Sequence, residues 1–87
     1  MGNYCVYILV SQNGDRTYVG QTNDLAQRLR THRGGHVAST RRYRPWELLH
    51  TETCLTRGEA MVRERWYKTR QGRQKIAELL VLRRLGR

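Results

Sequence analysis

Apolar and polar positions along the chain first resolve into two short strand-like runs. Tyr4 to Val10 is rich in β-branched and aromatic residues, and Arg16 to Thr22 is a second such stretch. Between them lies Asn13-Gly14, the strongest short-range hairpin signal there is. A turn at that point pairs Gln12 with Asp15, Leu9 with Tyr18 and Tyr7 with Gly20. Side chains alternate with period two, so Tyr7, Leu9, Tyr18 and Gly20 share a face with the tyrosines as diagonal neighbours. Gly20 carries no side chain, so open space is expected beside the Tyr7 ring, where a ligand or another backbone can approach. Ordinary strand packing would produce the same pattern.

Thr22-Asn23-Asp24 then offers N-cap residues, and Leu25 to His32 reads as a short helix that Gly34-Gly35 stops. His36 to Arg44 is polar and basic and runs into Pro45, which predicts a loop leading into a strand. That strand covers Trp46 to Glu52, with Trp46, Leu48 and His50 alternating against Glu47, Leu49 and Thr51. Thr56-Arg57-Gly58-Glu59 matches a capping box, so a helix is expected from Arg57 to Thr69, broken by Gln71-Gly72. A last helix is expected over Arg73 to Leu85, with Ile76, Leu79, Leu80 and Arg83 on one face. The order β-β-α-β-α-α predicts an α+β fold in which three helices flank a three-stranded antiparallel sheet. Because the first strand is apolar on both faces, it is expected in the middle.

Eighty-seven residues suit one domain, expected to span 1–87, with a small core. Seventeen Lys and Arg against seven Asp and Glu leave a net charge of +10, and more than half of the basic residues lie from Arg57 onward. Such an excess favours polyanions: nucleic acid, an anionic membrane surface or a ribosome-like partner all satisfy it. With no apolar stretch long enough to span a bilayer and no signal-peptide pattern at the N-terminus, a soluble intracellular protein without membrane association is expected. Cys5 and Cys54 lack metal-ligand or redox spacing and read as small buried strand residues with reduced thiols.

Three groups of residues are candidates for chemistry. Arg28 and His32, four apart on one helix face, would form a phosphate clamp or a solvated basic surface. Glu64 falls in the predicted inward stripe of Ala60, Met61, Glu64, Tyr67 and Lys68, so a carboxylate takes a core position. A buried carboxylate needs a charged partner or a metal. Glu64 is therefore either paired with a basic neighbour or the single-carboxylate ligand of Mg²⁺ or Mn²⁺. The stretch Thr40-Arg41-Arg42-Tyr43-Arg44-Pro45-Trp46 mixes basic and aromatic residues suited to a nucleic-acid backbone, with Tyr43 or Trp46 stacking on a base. Trp46 and Trp66 also suit the core or its edge, and His36 and His50 take no role.

These residues resemble the GIY-YIG nuclease family. Cys5-Val6-Tyr7 stands where that family has Gly-Ile-Tyr, and Tyr18-Val19-Gly20 where it has Tyr-Ile-Gly. Thr22-Asn23-Asp24-Leu25 with Arg28-Leu29 and His32, then Thr40-Arg41 and Arg44-Pro45, then Glu59-Ala60 and Glu64 with Lys68, look like its small stand-alone members. Cys5 replaces the family's first glycine, and Gln74 is the stand-in for a polar ligand about a dozen residues beyond the metal glutamate. The resemblance implies a metal-dependent endonuclease that leaves 5′-phosphate and 3′-hydroxyl ends. Tyr7, or a water near it, would activate the nucleophile, and Tyr18 would position the phosphate. Arg28 would stabilise developing charge, His32 would assist proton transfer and Glu64 would ligate one Mg²⁺ or Mn²⁺. Arg41, Arg42, Tyr43, Arg44 and Lys68 would hold the nucleic acid, DNA ahead of RNA, in repair, recombination or mobile-element processing. Targeting would fall to a partner protein or a homodimer, in the cytoplasm or, in a eukaryote, the nucleus. The competing expectation is a non-catalytic basic nucleic-acid-binding module in which Glu64 is a structural ion-pair partner.

Overall fold

A computed structural model describes residues 3–12 and 16–86. The hairpin strands are β1 (Tyr4–Ser11) and β2 (Thr17–Thr22), and β3 (Trp46–Cys54) completes an antiparallel sheet in the order β2-β1-β3. The expected register holds: Leu9 pairs with Tyr18 and Tyr7 with Gly20. The turn expected at Asn13-Gly14, and with it the pairing of Gln12 with Asp15, lies outside the described residues. As its two-sided apolar pattern requires, β1 is central, and Val6 to Val10 are at most 1% exposed. Burial of a Val, Ile or Leu side chain contributes roughly 1.5–3 kcal/mol. This one strand therefore supplies much of what stabilises a small core.

The two faces of the sheet bury different helices. Val6 and Ile8 pack with Ala60 of α3 (Arg57–Trp66), with Tyr67 just past its end and with Ile76 of α4 (Arg70–Leu85). Tyr7 and Leu9 pack with Trp46, Tyr18, Leu25 and Leu29, the last two from α1 (Leu25–Arg33). Asp24 caps α1 by accepting from the Gln27 amide at 3.1 Å. Gly34 ends the helix as expected, and Gly35 follows in the left-handed region at φ 81°.

Several features depart from the sequence expectation. The polar stretch His36 to Arg44 is not all loop: Ala38–Arg41 form a single helical turn, α2. A bulge in β3 between the partners of Ile8 and Leu9 breaks the alternation of Trp46, Leu48 and His50, and His50 instead bonds Glu52 two residues on. The strand also continues to Cys54.

A further departure is the break between the last two helices, which falls at Tyr67 to Thr69 rather than at Gln71-Gly72. Thr69 caps α4 by accepting from the Gly72 amide at 3.2 Å, so Gly72 is buried inside that helix. Finally, the stripe on α3 is narrower than expected. Ala60 and Tyr67 are buried, but Lys68 is exposed and the Glu64 side chain is 25% exposed, paired with Lys68 at 3.3 Å. Glu64 is thus a surface-edge residue and not a core one. The capping box forms, with Thr56 accepting from the Glu59 amide at 3.1 Å, although the Glu59 carboxylate reaches the Leu55 amide. Cys5 and Cys54 are free and half-buried, less enclosed than expected.

Glu52 on β3 is a polar hub that the sequence did not reveal. Arg63 grips it with two nitrogens, at 2.6 and 3.3 Å, and the Tyr67 hydroxyl and His50 also bond it. Burial alone would raise its pKa, but the bonds from Arg63, Tyr67 and His50 outweigh it and hold the carboxyl near about 2. A depressed folded-state pKa adds stability above the unfolded value of about 4.5 that is lost as pH falls toward 2. Thermal melts between pH 5 and pH 2 are therefore expected to show a falling midpoint for the wild type and a shallower fall for Glu52→Gln. Equal slopes would mean that the hub is not the source of acid sensitivity.

Candidate active site

Tyr7 is fully buried on β1, and its hydroxyl lies 2.9 Å from His32 Nε2 and 3.3 Å from Arg28 Nε. Arg28 and His32 reach it together because they are one turn apart on α1, with Leu25 and Leu29 holding that helix against the same sheet face. Tyr18 joins from β2, its ring centroid 6.1 Å from that of Tyr7 and 4.8 Å from that of His32. The four residues expected around the phosphate on this face are thus gathered into one cluster.

Two details differ from expectation. His32 is wholly buried, so with Arg28 it makes no exposed phosphate clamp. The space opposite Tyr7 is also not open. A β-carbon on Gly20 would lie 2.5 Å from the Tyr7 hydroxyl, so the glycine accommodates the Tyr7 ring itself.

Electrostatics keep Tyr7 and His32 neutral beside the Arg28 charge. Burial pushes the Tyr7 phenol up to about 12, against the lowering effect of the Arg28 hydrogen bond. Burial, reinforced by Arg28, lowers the His32 pKa. The bond to Tyr7 raises that of Arg28. A protonated phenol, a neutral imidazole and a guanidinium therefore meet at one oxygen at neutral pH.

Behind His32 stands Thr40 of α2, a site neighbour to which the sequence reading gave no role of its own. Its hydroxyl is 2.9 Å from His32 Nδ1, and its carbonyl accepts from the buried Trp46 indole at 2.7 Å. Trp46 is itself buried, at 5% exposed, and so is unavailable for the base stacking expected of it. The signal was present in the sequence, as a hydroxyl eight residues beyond a histidine, but only the α2 turn makes them neighbours.

Glu64 approaches from the other layer. Arg57, at the start of α3, shares a groove with Gln21, Thr22 and Arg28, while Tyr67 and Lys68, just past its end, share a cleft with Thr17, Tyr18 and Val19. α3 therefore runs along the edge strand β2, and Glu64 stands on the stretch between. Gln74 is exposed on α4.

The expected nucleic-acid residues form a second basic surface beside α1. Arg33, Arg41, Arg42 and Arg44 line one cleft. Within it Arg44 is largely structural, donating to the Arg41 carbonyl at 2.9 Å and the Arg33 carbonyl at 3.5 Å. Tyr43 is half-buried, with the Arg16 guanidinium 4.6 Å and the Arg42 guanidinium 5.7 Å from its ring centre. Two guanidiniums therefore already crowd the ring expected to stack on a base. Arg16 and Arg33 join a surface on which the sequence alone did not place them.

Residues 3–77 match the sequence model of the GIY-YIG catalytic domain. The chain belongs to the GIY-YIG family. It is 44% identical over 68 residues to a UPF0213 protein of Bacillus pumilus, covering 77% of this chain and 68% of the relative. It is 36% identical over 81 residues to a UPF0213 protein of Haloquadratum walsbyi, covering 90% of this chain and 91% of the relative. It is also 44% identical over 60 residues to the structure-specific endonuclease subunit slx1 of Schizosaccharomyces japonicus, covering 63% of this chain but 20% of that protein. The solution structure of a UPF0213 protein from Bacillus halodurans superposes with a TM-score of 0.53 at 32% identity, covering 88% of this chain and 84% of that one. In this GIY-YIG chain the first tyrosine of the signature is the buried member of the cluster and the second its half-buried neighbour.

Proposed function

We propose that this chain is a divalent-metal-dependent endonuclease domain that hydrolyses phosphodiester bonds, with DNA ahead of RNA as its substrate. The buried Tyr7, bonded by Arg28 and His32, with a separate arginine-lined cleft beside α1, carries the reading. Membership of a catalytic-domain family supports a nuclease, and the structure-specific endonuclease subunit among the relatives supports selectivity for nucleic-acid shape. Structure-selective cutting suits a chain with little surface for reading bases, and repair or recombination is the context we infer. A targeting partner or a second copy would supply further specificity. The site of action is intracellular, and among the described residues no helix is long and apolar enough to cross a membrane.

The chemistry follows from the atoms in reach. A phenol with a pKa near about 12 is protonated at neutral pH, so Tyr7 must first release its proton to act as a base. His32 Nε2, at 2.9 Å, is the receiving atom, and the Arg28 guanidinium holds the resulting phenolate. The phenolate would then take a proton from a water that substrate binding brings to it, since Tyr7 is wholly buried in the free protein. Arg28, which also lines an open polar groove, is placed to meet the charge that builds on the phosphate, and the half-buried Tyr18 positions it. Arg41, Arg42 and Lys68 hold the flanking backbone.

Among the described residues no three His, Cys, Asp or Glu side chains stand together as a ready-made metal cage. A Mg²⁺ or Mn²⁺ ion that keeps most of its waters and takes phosphate oxygens needs fewer protein ligands. Glu64 fits such a site: it is part-exposed, and its surface partner Lys68 is held by an ion pair worth only a few tenths of a kcal/mol. When bound, the ion would supply neutralisation of the negative charge on the attacked phosphate.

The test is cleavage of labelled single-stranded, duplex, flap and branched DNA with Mg²⁺ or Mn²⁺, with an EDTA control and Glu64→Ala alongside. We expect metal-dependent products that fall by ~100–1,000-fold in the variant while binding is kept. The Glu64–Lys68 pair favours the alternative of a binding module, for which salt-sensitive binding without cutting on any substrate would decide.

A further inference from the structure

The direction of the hydrogen bonds behind Tyr7 defines a role for a residue that does not touch substrate. Thr40 Oγ1 lies 2.9 Å from His32 Nδ1 and 3.3 Å from the Val37 carbonyl oxygen, which can only accept. On the other side of the ring, the Tyr7 oxygen already accepts from Arg28 Nε–H. If His32 carried its proton on Nε2, two donors would converge on that oxygen, and the phenol hydrogen would have to leave its 2.9 Å partner for another acceptor. With the proton on Nδ1, His32 donates to Thr40, Thr40 donates to Val37, and the phenol donates to a free Nε2. Each hydrogen then has an acceptor, in agreement with the absence of unsatisfied buried side-chain polar atoms among the described residues.

We infer that Thr40 is a positioning residue that fixes the Nδ1–H tautomer of His32, so that Nε2 is the proton acceptor aimed at Tyr7. Thr40 is itself held from behind, since its carbonyl accepts from the buried Trp46 indole. The α2 turn thus serves to deliver a hydroxyl to the back of the imidazole. When the Tyr7 proton moves to Nε2, the imidazolium keeps its Nδ1–H bond to Thr40. No rearrangement of the ring is needed.

This inference rests on the nuclease reading for its consequence, but its structural core is readable without activity. Nitrogen-15 spectra of the three histidines in the wild type, assigned with His36→Gln and His50→Gln, report which nitrogen of His32 bears the proton. We expect protonated Nδ1 and pyridine-type Nε2 in the wild type and in Thr40→Ser, and loss of that preference in Thr40→Val. On a cleavable DNA substrate, Thr40→Val is expected to lose ~100-fold in rate with binding unchanged, and Thr40→Ser to stay within about threefold of the wild type. Protonated Nε2 in the wild type, or a tautomer unmoved by Thr40→Val in a variant that melts like the wild type, would overturn the inference. Absence of cleavage in the wild type would count against the nuclease reading alone, because the spectra still decide the tautomer.

Discussion

Gly20→Ala should lower cleavage by at least ~100-fold while the sheet stays folded. The new β-carbon would lie 2.5 Å from the Tyr7 hydroxyl, 2.7 Å from its Cζ and 3.0 Å from Tyr18 Cε1, so the Tyr7 ring must swing aside. Its hydroxyl would then leave His32 and Arg28, which hold it from the far side. A displacement of about 1 Å at a reacting group can cost ~100-fold. The accompanying overpacking should cost ~1–3 kcal/mol, tolerable for an edge strand whose partner is itself fully buried. Cleavage assays beside thermal melts separate the two effects. Wild-type turnover in this variant would show that the Tyr7 hydroxyl is not required where the structure places it.

A larger loss of stability is expected from Gly72→Ala. Alanine normally favours a helix over glycine by about 1 kcal/mol. Here its β-carbon would meet the Trp66 carbonyl oxygen at 2.1 Å and Tyr67 Cα at 2.4 Å, and both are backbone atoms that no rotamer change can move. The elbow between α3 and α4 would have to open, withdrawing Tyr67 and Ile76 from the core over Val6 and Ile8. A net cost of ~3 kcal/mol or more is expected, which for a domain of this size lowers the melting midpoint by roughly 10–25 °C. Gly58→Ala is the control, because its β-carbon would meet only Thr56 Oγ1 at 3.9 Å. Equal midpoints for the two variants would contradict the close approach of the helices.

The same glycines show where the sequence is readable and where it is not. The hairpin register, the central place of β1, the shared face of Tyr7 and Tyr18 and the shared face of Arg28 and His32 follow from local periodicity, because strand alternation and helix spacing are properties of neighbouring residues. The meeting of the two pairs is expected from the family resemblance alone. Gly72 reads as a helix breaker by propensity, and only the packing of α4 beneath the end of α3 explains why a glycine sits inside a helix. The β3 bulge was hidden likewise, since one extra residue leaves a plausible alternating pattern on both sides of itself. Glu64 reads as a core residue because the helical stripe was drawn too wide. At the β2 edge a half-exposed carboxylate needs no buried partner. Thr40 and Glu52 belong to contacts between residues distant in sequence, His32 in one case and Arg63 and Tyr67 in the other, which periodicity does not register.

The position of Tyr7 on β1 ties reactivity to folding. That strand is paired on both edges and covered on both faces, so its backbone opens only when the sheet as a whole does. In the proposed mechanism, a nucleophile-activating group mounted there has no order–disorder transition of its own. Local melting is therefore closed to this protein as a means of turning the site off. Under that mechanism, control has to act on what reaches the tyrosine and not on the strand that carries it.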